Sequence, residues 1–177
     1  MKKIGLLSDT HGHLPQKVLQ FLVNSDEIWH AGDIGDLSVI DELENITTVR
    51  AVYGNIDGRA SRLIFKENEI FTIDRIKVYM THIGGYPGRY NPKVLKCIDE
   101  HKPAIFISGH SHILKVMPDR KRKLLHINPG AAGNSGFHKS ITCVRFLIGR
   151  NGINELEILD IPRKQLINKK YPQPGYL

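Results

Sequence analysis

The sequence predicts one α/β domain in which two sheets pack together with helices outside. Short apolar runs alternate with helical periodicity through the first third of the chain, the pattern of right-handed βαβ units with a parallel sheet. From Glu69 onward hairpin patterns dominate. Five short polar motifs stand at the ends of the expected strands: Asp9-Thr10-His11, Gly32-Asp33, Gly54-Asn55, Thr81-His82 and Gly109-His110-Ser111-His112.

Lys2–Ser8 reads as a short buried strand. Leu14, Val18, Leu19, Leu22 and Val23 recur at helical spacing and Pro15 suits a first turn, so Leu14–Asn24 is expected to be a helix. Glu27–Ala31 is the next strand. Asp36–Leu43 is the next helix, with Asp36 or Ser38 as cap, and Thr48–Tyr53 is a third strand. Glu69–Ile73 and Ile76–Thr81 form a hairpin around Asp74-Arg75. Asn91-Pro92 pairs a cap with a proline at the first helical position, opening a helix to about His101. Ala104–Ser108 is a buried strand, and Leu114–Met117 and Leu124–Asn128 bracket a basic turn. Ile141–Ile148 and Ile153–Ile161 make a last hairpin around Asn151-Gly152. The domain is expected to span residues 1–161, with 162–177 a polar tail holding three prolines and several lysines.

A chain of 177 residues fits one domain whose core closes without disulfide or zinc staples. Hydrophobic residues make up 41% and charged residues 24%, ordinary for a globular protein. No apolar run approaches the roughly 18 residues that span a bilayer, and the run after Met1-Lys2-Lys3 is too short for a signal peptide. No membrane association is expected. Cys97 and Cys143 lack CxxC spacing and read as reduced thiols, so the expected location is cytoplasmic. The net charge of +7 and pI near 9.4 suit phosphate-bearing substrates. The Arg120-Lys121-Arg122-Lys123 cluster reads as a solvated hairpin tip ahead of nucleic-acid recognition, because no aromatic platform is interleaved with it.

The motifs offer carboxylates, imidazoles and one amide, donors that suit hard-to-borderline cations. Asp-x-His and His-x-His bring both side chains to one point if the backbone is extended, since residues two apart share a face. Asp33, with two carboxylate oxygens, can bridge two metals. Two ions about 3.5–4 Å apart grip the attacking and leaving oxygens of a phosphoryl displacement and turn a bridging water into hydroxide at neutral pH. Singly, each residue has an ordinary role. Asp9 could form a turn, Asp33 could cap a helix, Asn55 before Asp57-Gly58 could sit in a turn, and His82 could be a core histidine. Jointly, that explanation needs five coincidences at five strand ends. The remaining histidines, His30, His101, His126 and His138, are expected to be structural. His13, two residues past His11, is a candidate substrate contact.

The ordered series Asp9-x-His11, Gly32-Asp33, Gly54-Asn55-x-Asp57, His82 and Gly109-His110-x-His112 resembles the calcineurin-like metallophosphoesterase superfamily. The Ser8-Asp9-Thr10-His11-Gly12 opening and Asn128-Pro129-Gly130 resemble its small prokaryotic YfcE-like phosphodiesterase branch. The resemblance runs from Lys2 to about Ile161. It implies a four-layer α/β/β/α sandwich of two mixed sheets. It also implies a first metal on Asp9, His11, Asp33 and His112, and a second on the bridging Asp33 with Asn55, His82 and His110. Asp33, Asn55 and His82 are counted as catalytic too, and Asp57 would orient the ligands from behind. The cofactors implied are two divalent transition-metal ions, manganese first, with iron, zinc or nickel as alternatives.

Two departures bear on the chemistry. Many superfamily members carry a histidine after the asparagine of the third motif, an acid for the leaving group. Here Ile56 stands there and carries no proton, which favours substrates whose leaving group needs little protonation. The fourth motif runs on as Ile83-Gly84-Gly85-Tyr86-Pro87-Gly88-Arg89-Tyr90, where Arg89, Tyr86 and Tyr90 are candidates for phosphate or base contact. The expected activity is hydrolysis of phosphodiesters, with a small phosphodiester or phosphate ester as partner. A non-catalytic binding scaffold on the same fold, like the small retromer subunit, is the alternative, and such scaffolds tend to lose ligands that this chain keeps. A nucleic-acid substrate would show itself in steep salt dependence. A homo-oligomer is compatible with the sequence, which does not specify one.

Overall fold

The computed structural model describes residues 1–150 and 152–163. Two five-stranded mixed sheets form its centre. The first is built from β1 (Lys2–Leu7), β2 (Glu27–His30), β3 (Val49–Ala51), β11 (Ser140–Gly149) and β12 (Gly152–Pro162), in the order β12-β11-β1-β2-β3. The second is built from β4 (Asn68–Ile73), β5 (Ile76–Thr81), β8 (Ile105–Ile107), β9 (Leu114–Asp119) and β10 (Leu124–Pro129), in the order β4-β5-β8-β10-β9. β1, β2 and β3 run parallel, as the βαβ pattern predicts, and β11 pairs antiparallel to β1.

Alternation along the strands sets the layers, because successive side chains point to opposite faces. Ile4 and Leu6 of β1, Val144, Phe146 and Ile148 of β11, Val78 and Met80 of β5, and Ile105 and Ile107 of β8 meet in one buried core between the sheets. Trp29 closes it, edge-on to Phe71 and Phe146. The opposite face of the first sheet, with Leu7, Ile28 and Cys143, packs on Val18 and Leu22 of α1 (Gln16–Leu22) and on Val39, Ile40 and Leu43 of α2 (Ser38–Glu44). The outer face of the second sheet, with Tyr79 and Phe106, packs on Val94 and Ile98 of α4 (Pro92–His101). Helices, sheet, sheet and helix therefore stack as the four-layer α/β/β/α sandwich expected. At about 25 cal/mol per Å² of apolar surface removed from water, these three clusters are the main stabilising term.

Local signals account for most boundaries. Asn91 Oδ1 accepts the Lys93 N–H, and Pro92 follows at the first helical position. Asp36 Oδ1 accepts the Ser38 N–H at the head of α2, in place of a cap from Leu37. α1 is shorter than expected, because Pro15 stays extended and the helix stops at Val23. α3 (Arg59–Ile64) and the two-residue strands β6 (Gly85–Tyr86) and β7 (Arg89–Tyr90) were not expected. α3 buries only Ser61 and leaves Leu63 and Ile64 exposed, so no apolar stripe announces it. Arg122 in the basic turn pairs with Asp99 and Asp119, which holds the hairpin tip against α4. β12 runs one residue past the expected edge, and the Arg163 N–H extends it by donating to Lys139 O. Asn151 and the expected tail from residue 164 lie outside the described residues. Among the described residues no helix is long and apolar enough to cross a membrane.

Candidate metal centre

The motif residues converge where β1, β2, β5 and β8 end, beyond the carboxyl edges of parallel strands. Two donor groups form there, Asp9 with His11 and His112, and Asp33 with His82 and His110. Within each, the donor atoms lie within 4.8 Å of one another. Asp33 joins the groups. Its Oδ2 lies 3.6 Å from His11 Nε2 and its Oδ1 lies 3.2 Å from His82 Nε2. Asp9 Oδ1 sits 3.1 Å from His112 Nε2 and 3.9 Å from His82 Nε2, while its Oδ2 accepts the His110 N–H. His110 stands edge-on to His82, with ring centroids 5.3 Å apart.

Extended backbone is not what pairs these residues. Asp9, His11, Asp33, His110 and His112 all have φ between 48° and 67°, five of the eleven non-glycine residues with positive φ among those described. The expectation that Asp-x-His and His-x-His share a strand face is therefore corrected. Asp9 and His11 reach one group through left-handed turns, and His110 and His112 are split between the two groups. Such conformations are disfavoured for L-residues and cluster where surrounding structure imposes them.

Two buried atoms in the cluster have no hydrogen-bond partner, Asp9 Oδ1 and His82 Nε2. His82 Nδ1 lies 2.8 Å from Ala31 O, and a carbonyl only accepts, so Nδ1 carries the proton. In the neutral ring, Nε2 then turns a lone pair towards two carboxylates. That arrangement needs a cation between them, or a second proton on His82. Burial would lower the His82 imidazole, but Asp33 and Asp9 hold it above its ordinary value. Burial would raise the Asp33 carboxyl, but His82 and the Ile56 N–H hold it below. Two carboxylates and four imidazoles with these unmatched atoms fit a pair of borderline divalent cations.

Asn55 sits on an exposed turn after β3. Its neighbours fix that turn to the cluster. A side chain on Gly54 would overlap Asp33 Oδ1 and N and come within 2.8 Å of His82 Cδ2, so only glycine lets the chain pass this close. The Ile56 N–H donates to Asp33 Oδ1 at 3.1 Å. Asp57 lies behind, accepting the N–H groups of Ile34, Gly35 and Gly54, and so joins the loop after Asp33 to the loop that bears Asn55.

Three supporting residues were not foreseen. Arg62 lies over the Tyr53 ring at 4.5 Å and donates to the carbonyls of Asp57 and Gly54, clamping the Asn55 loop from α3. His30 is fully buried, bonded to Thr10 Oγ1 and accepting the Gly32 N–H; burial lowers it to about 4, so it is neutral and braces the first two motifs. Only its place just before Gly32-Asp33 hinted at this. His138 contacts His112. Neither His13 nor Arg89 belongs to either donor group, and both are exposed. Tyr90 turns away to Asp119 and Phe106, and the Tyr86 ring carries the Lys115 ammonium.

Comparison with known proteins identifies the family and the fold. A family model described as the calcineurin-like phosphoesterase superfamily domain matches residues 1–150. The phosphodiesterase MJ0936 of Methanocaldococcus jannaschii is 32% identical, over 92% of this chain and 95% of its own length. The structure of an archaeal phosphodiesterase superposes with a TM-score of 0.69 at 27% identity, covering 90% of this chain and 99% of that one. The Vps29 protein of Entamoeba histolytica, solved with zinc, shares the fold at a TM-score of 0.63 and 17% identity, over 89% and 98% of the two chains. The chain therefore belongs to the calcineurin-like phosphoesterase superfamily and is a metal-dependent phosphoesterase.

Proposed function

We propose that the chain hydrolyses small phosphodiesters at a dinuclear centre. Asp9, His11, Asp33 and His112 hold one metal, and Asp33, Asn55, His82 and His110 hold the other. The single observation that carries this reading is that the two oxygens of Asp33 face the two donor groups separately. The 32% identical archaeal relative named as a phosphodiesterase supports diesters over monoesters. Mn²⁺ is the ion proposed, as the superfamily resemblance implies; the carboxylate and amide donors suit it, while the four imidazoles equally suit iron, zinc or nickel. When bound, such a pair acidifies water and neutralises charge on the phosphoryl oxygens.

The protein's own share is positional. Asp9 and Asp33 place negative charge where the cations belong, and the Ala31 carbonyl aims His82. Beside Asn55 and His82 opens a cleft of about 710 Å³, along which Tyr53, Arg62, Asn68 and Lys93 lie. Its cations suit an anionic ester. Ile56, 46% exposed, supplies no proton, so substrates with good leaving groups are favoured. The substrate roles expected for His13 and Arg89 rest on their place in the chain alone.

The purified protein should hold close to two transition-metal ions per chain and hydrolyse bis(p-nitrophenyl) phosphate with Mn²⁺. Asp33→Ala should lose most of that activity. Protein that stays inactive after metal supplementation would return the chain to the scaffold reading, and near-normal turnover by Asp33→Ala would mean the centre is misplaced.

A further inference from the structure

His112 is held by a side chain on a loop that the motifs do not include. His138 Nε2 lies 3.0 Å from Gly133 O. A carbonyl oxygen only accepts, so this nitrogen carries the proton and donates. The other nitrogen of the neutral ring, Nδ1, is then an acceptor. It lies 3.1 Å from His112 Nδ1, which must therefore donate to it. His112 Nε2 is left with its lone pair, facing Asp9 Oδ1 at 3.1 Å and His11 Nε2 at 3.4 Å. The chain of donors fixes both the tautomer and the tilt of His112.

We infer that His138 is a positioning residue for the metal position formed by Asp9, His11 and His112. This rests on the two-metal reading above. The loop bearing His138 is built for the contact. At one end the Gly133 N–H donates to Asp9 O at 3.2 Å. In the middle, Gly136 has φ +113°, and a Cβ there would lie 2.6 Å from His112 Nδ1. At the other end the Arg163 guanidinium holds the carbonyls of Gly136 and His138. The second group differs, since His82 takes its orientation from the backbone just past the end of β2, at Ala31 O. One metal position is thus set by backbone at the end of β2 and the other by a loop tied to the end of β12. Partners that orient ligating histidines this way are worth about 10–100-fold in metal affinity.

The test uses the full chain with zinc as the only added ion, chelator competition for affinity, and two-bond ¹H–¹⁵N NMR of the histidine rings in the metal-free state. His138→Ala should weaken one of the two zinc sites by about 10–100-fold, leave the other near wild type, and erase the Nδ1–H pattern of His112. His138→Gln, which still offers a donor and an acceptor, should recover most of both. Unchanged affinity at both zinc sites in His138→Ala overturns the inference. So does a wild-type His112 protonated on Nε2, a result that needs no variant. A wild-type chain that takes up no zinc overturns the metal reading beneath it, whatever the His112 ring shows.

Discussion

Asp57 touches no metal-binding atom, yet its replacement should unsettle the whole centre. Its carboxylate, 3% exposed, accepts the N–H groups of Gly54 at 2.7 Å, Gly35 at 2.8 Å and Ile34 at 3.2 Å. In Asp57→Ala these donors lose their acceptor. Gly35 is exposed and finds water, but Ile34 and Gly54 are buried. At about 1–3 kcal/mol for each buried donor left unsatisfied, the loss is about 2–6 kcal/mol. Asp57→Asn keeps one carbonyl oxygen. Turned so that this oxygen takes the place of Oδ2, it still serves Ile34 and Gly54, but its Nδ2 then faces the exposed Gly35 N–H donor to donor, so that bond is lost and the loop must give slightly, at about 1–2 kcal/mol. Urea unfolding of the metal-free chain separates the two. With a slope of about 1–3 kcal/mol per M, the alanine variant should lower the midpoint by roughly 1 M or more, and the asparagine variant by less. An alanine variant that unfolds at the wild-type midpoint would refute the account of how these loops are held.

Two more perturbations probe separate parts of the structure. Gly54→Ala should cut Mn²⁺-supported turnover at least about tenfold, because a Cβ there displaces Asp33 or His82 and so loosens the ligands whose placement sets metal affinity; wild-type turnover would show that the close approach is not needed. Burial holds His126 at about 4, so above pH 6.5 it is neutral folded and unfolded, and below that only the unfolded chain takes the proton. Stability from this residue is therefore full at neutral pH and lost as pH falls from 6.5 towards 4, by about 2 kcal/mol between pH 7 and 5. His126→Gln should flatten that decline in paired urea titrations, leaving the share due to His30; an unaltered slope would mean that His126 is not buried as a neutral ring.

The strands were legible because strands buried on both faces leave short continuous apolar runs, such as Ile4-Gly5-Leu6-Leu7 and Val78-Tyr79-Met80. The candidate metal donors were legible because each follows such a segment. What escaped depends on contacts between distant segments. His138 lies between Phe137 and Lys139, with no periodicity and no neighbouring ligand, and only the folded loop brings it to His112. Arg62 sits in a helix without an apolar face and acts on carbonyls, which leave no trace in side-chain pattern. The backbone of the motifs escaped for another reason. Asp and His enter the left-handed region more often than other side chains but far less often than glycine, too weak a mark to override the extended reading of Asp9-Thr10-His11.

That backbone also bears on enzyme against scaffold. Five left-handed ligands at about 1 kcal/mol each come to about 5 kcal/mol, against a net stability of about 5–15 kcal/mol for a typical domain. Asp9 Oδ1 and His82 Nε2, buried without partners, add to the cost. A surface used only for docking gains nothing from such a centre, and substitution of Asp9 or His82 by an apolar residue would relieve it. A pair of cations would remove the unfavourable part directly, since Asp9, Asp33, His82 and His112 would hold it and its charge would neutralise both carboxylates. The six clustered donors, the Asp57 brace and the His138 contact converge on that one arrangement, and their joint presence is the structural argument for catalysis over scaffolding.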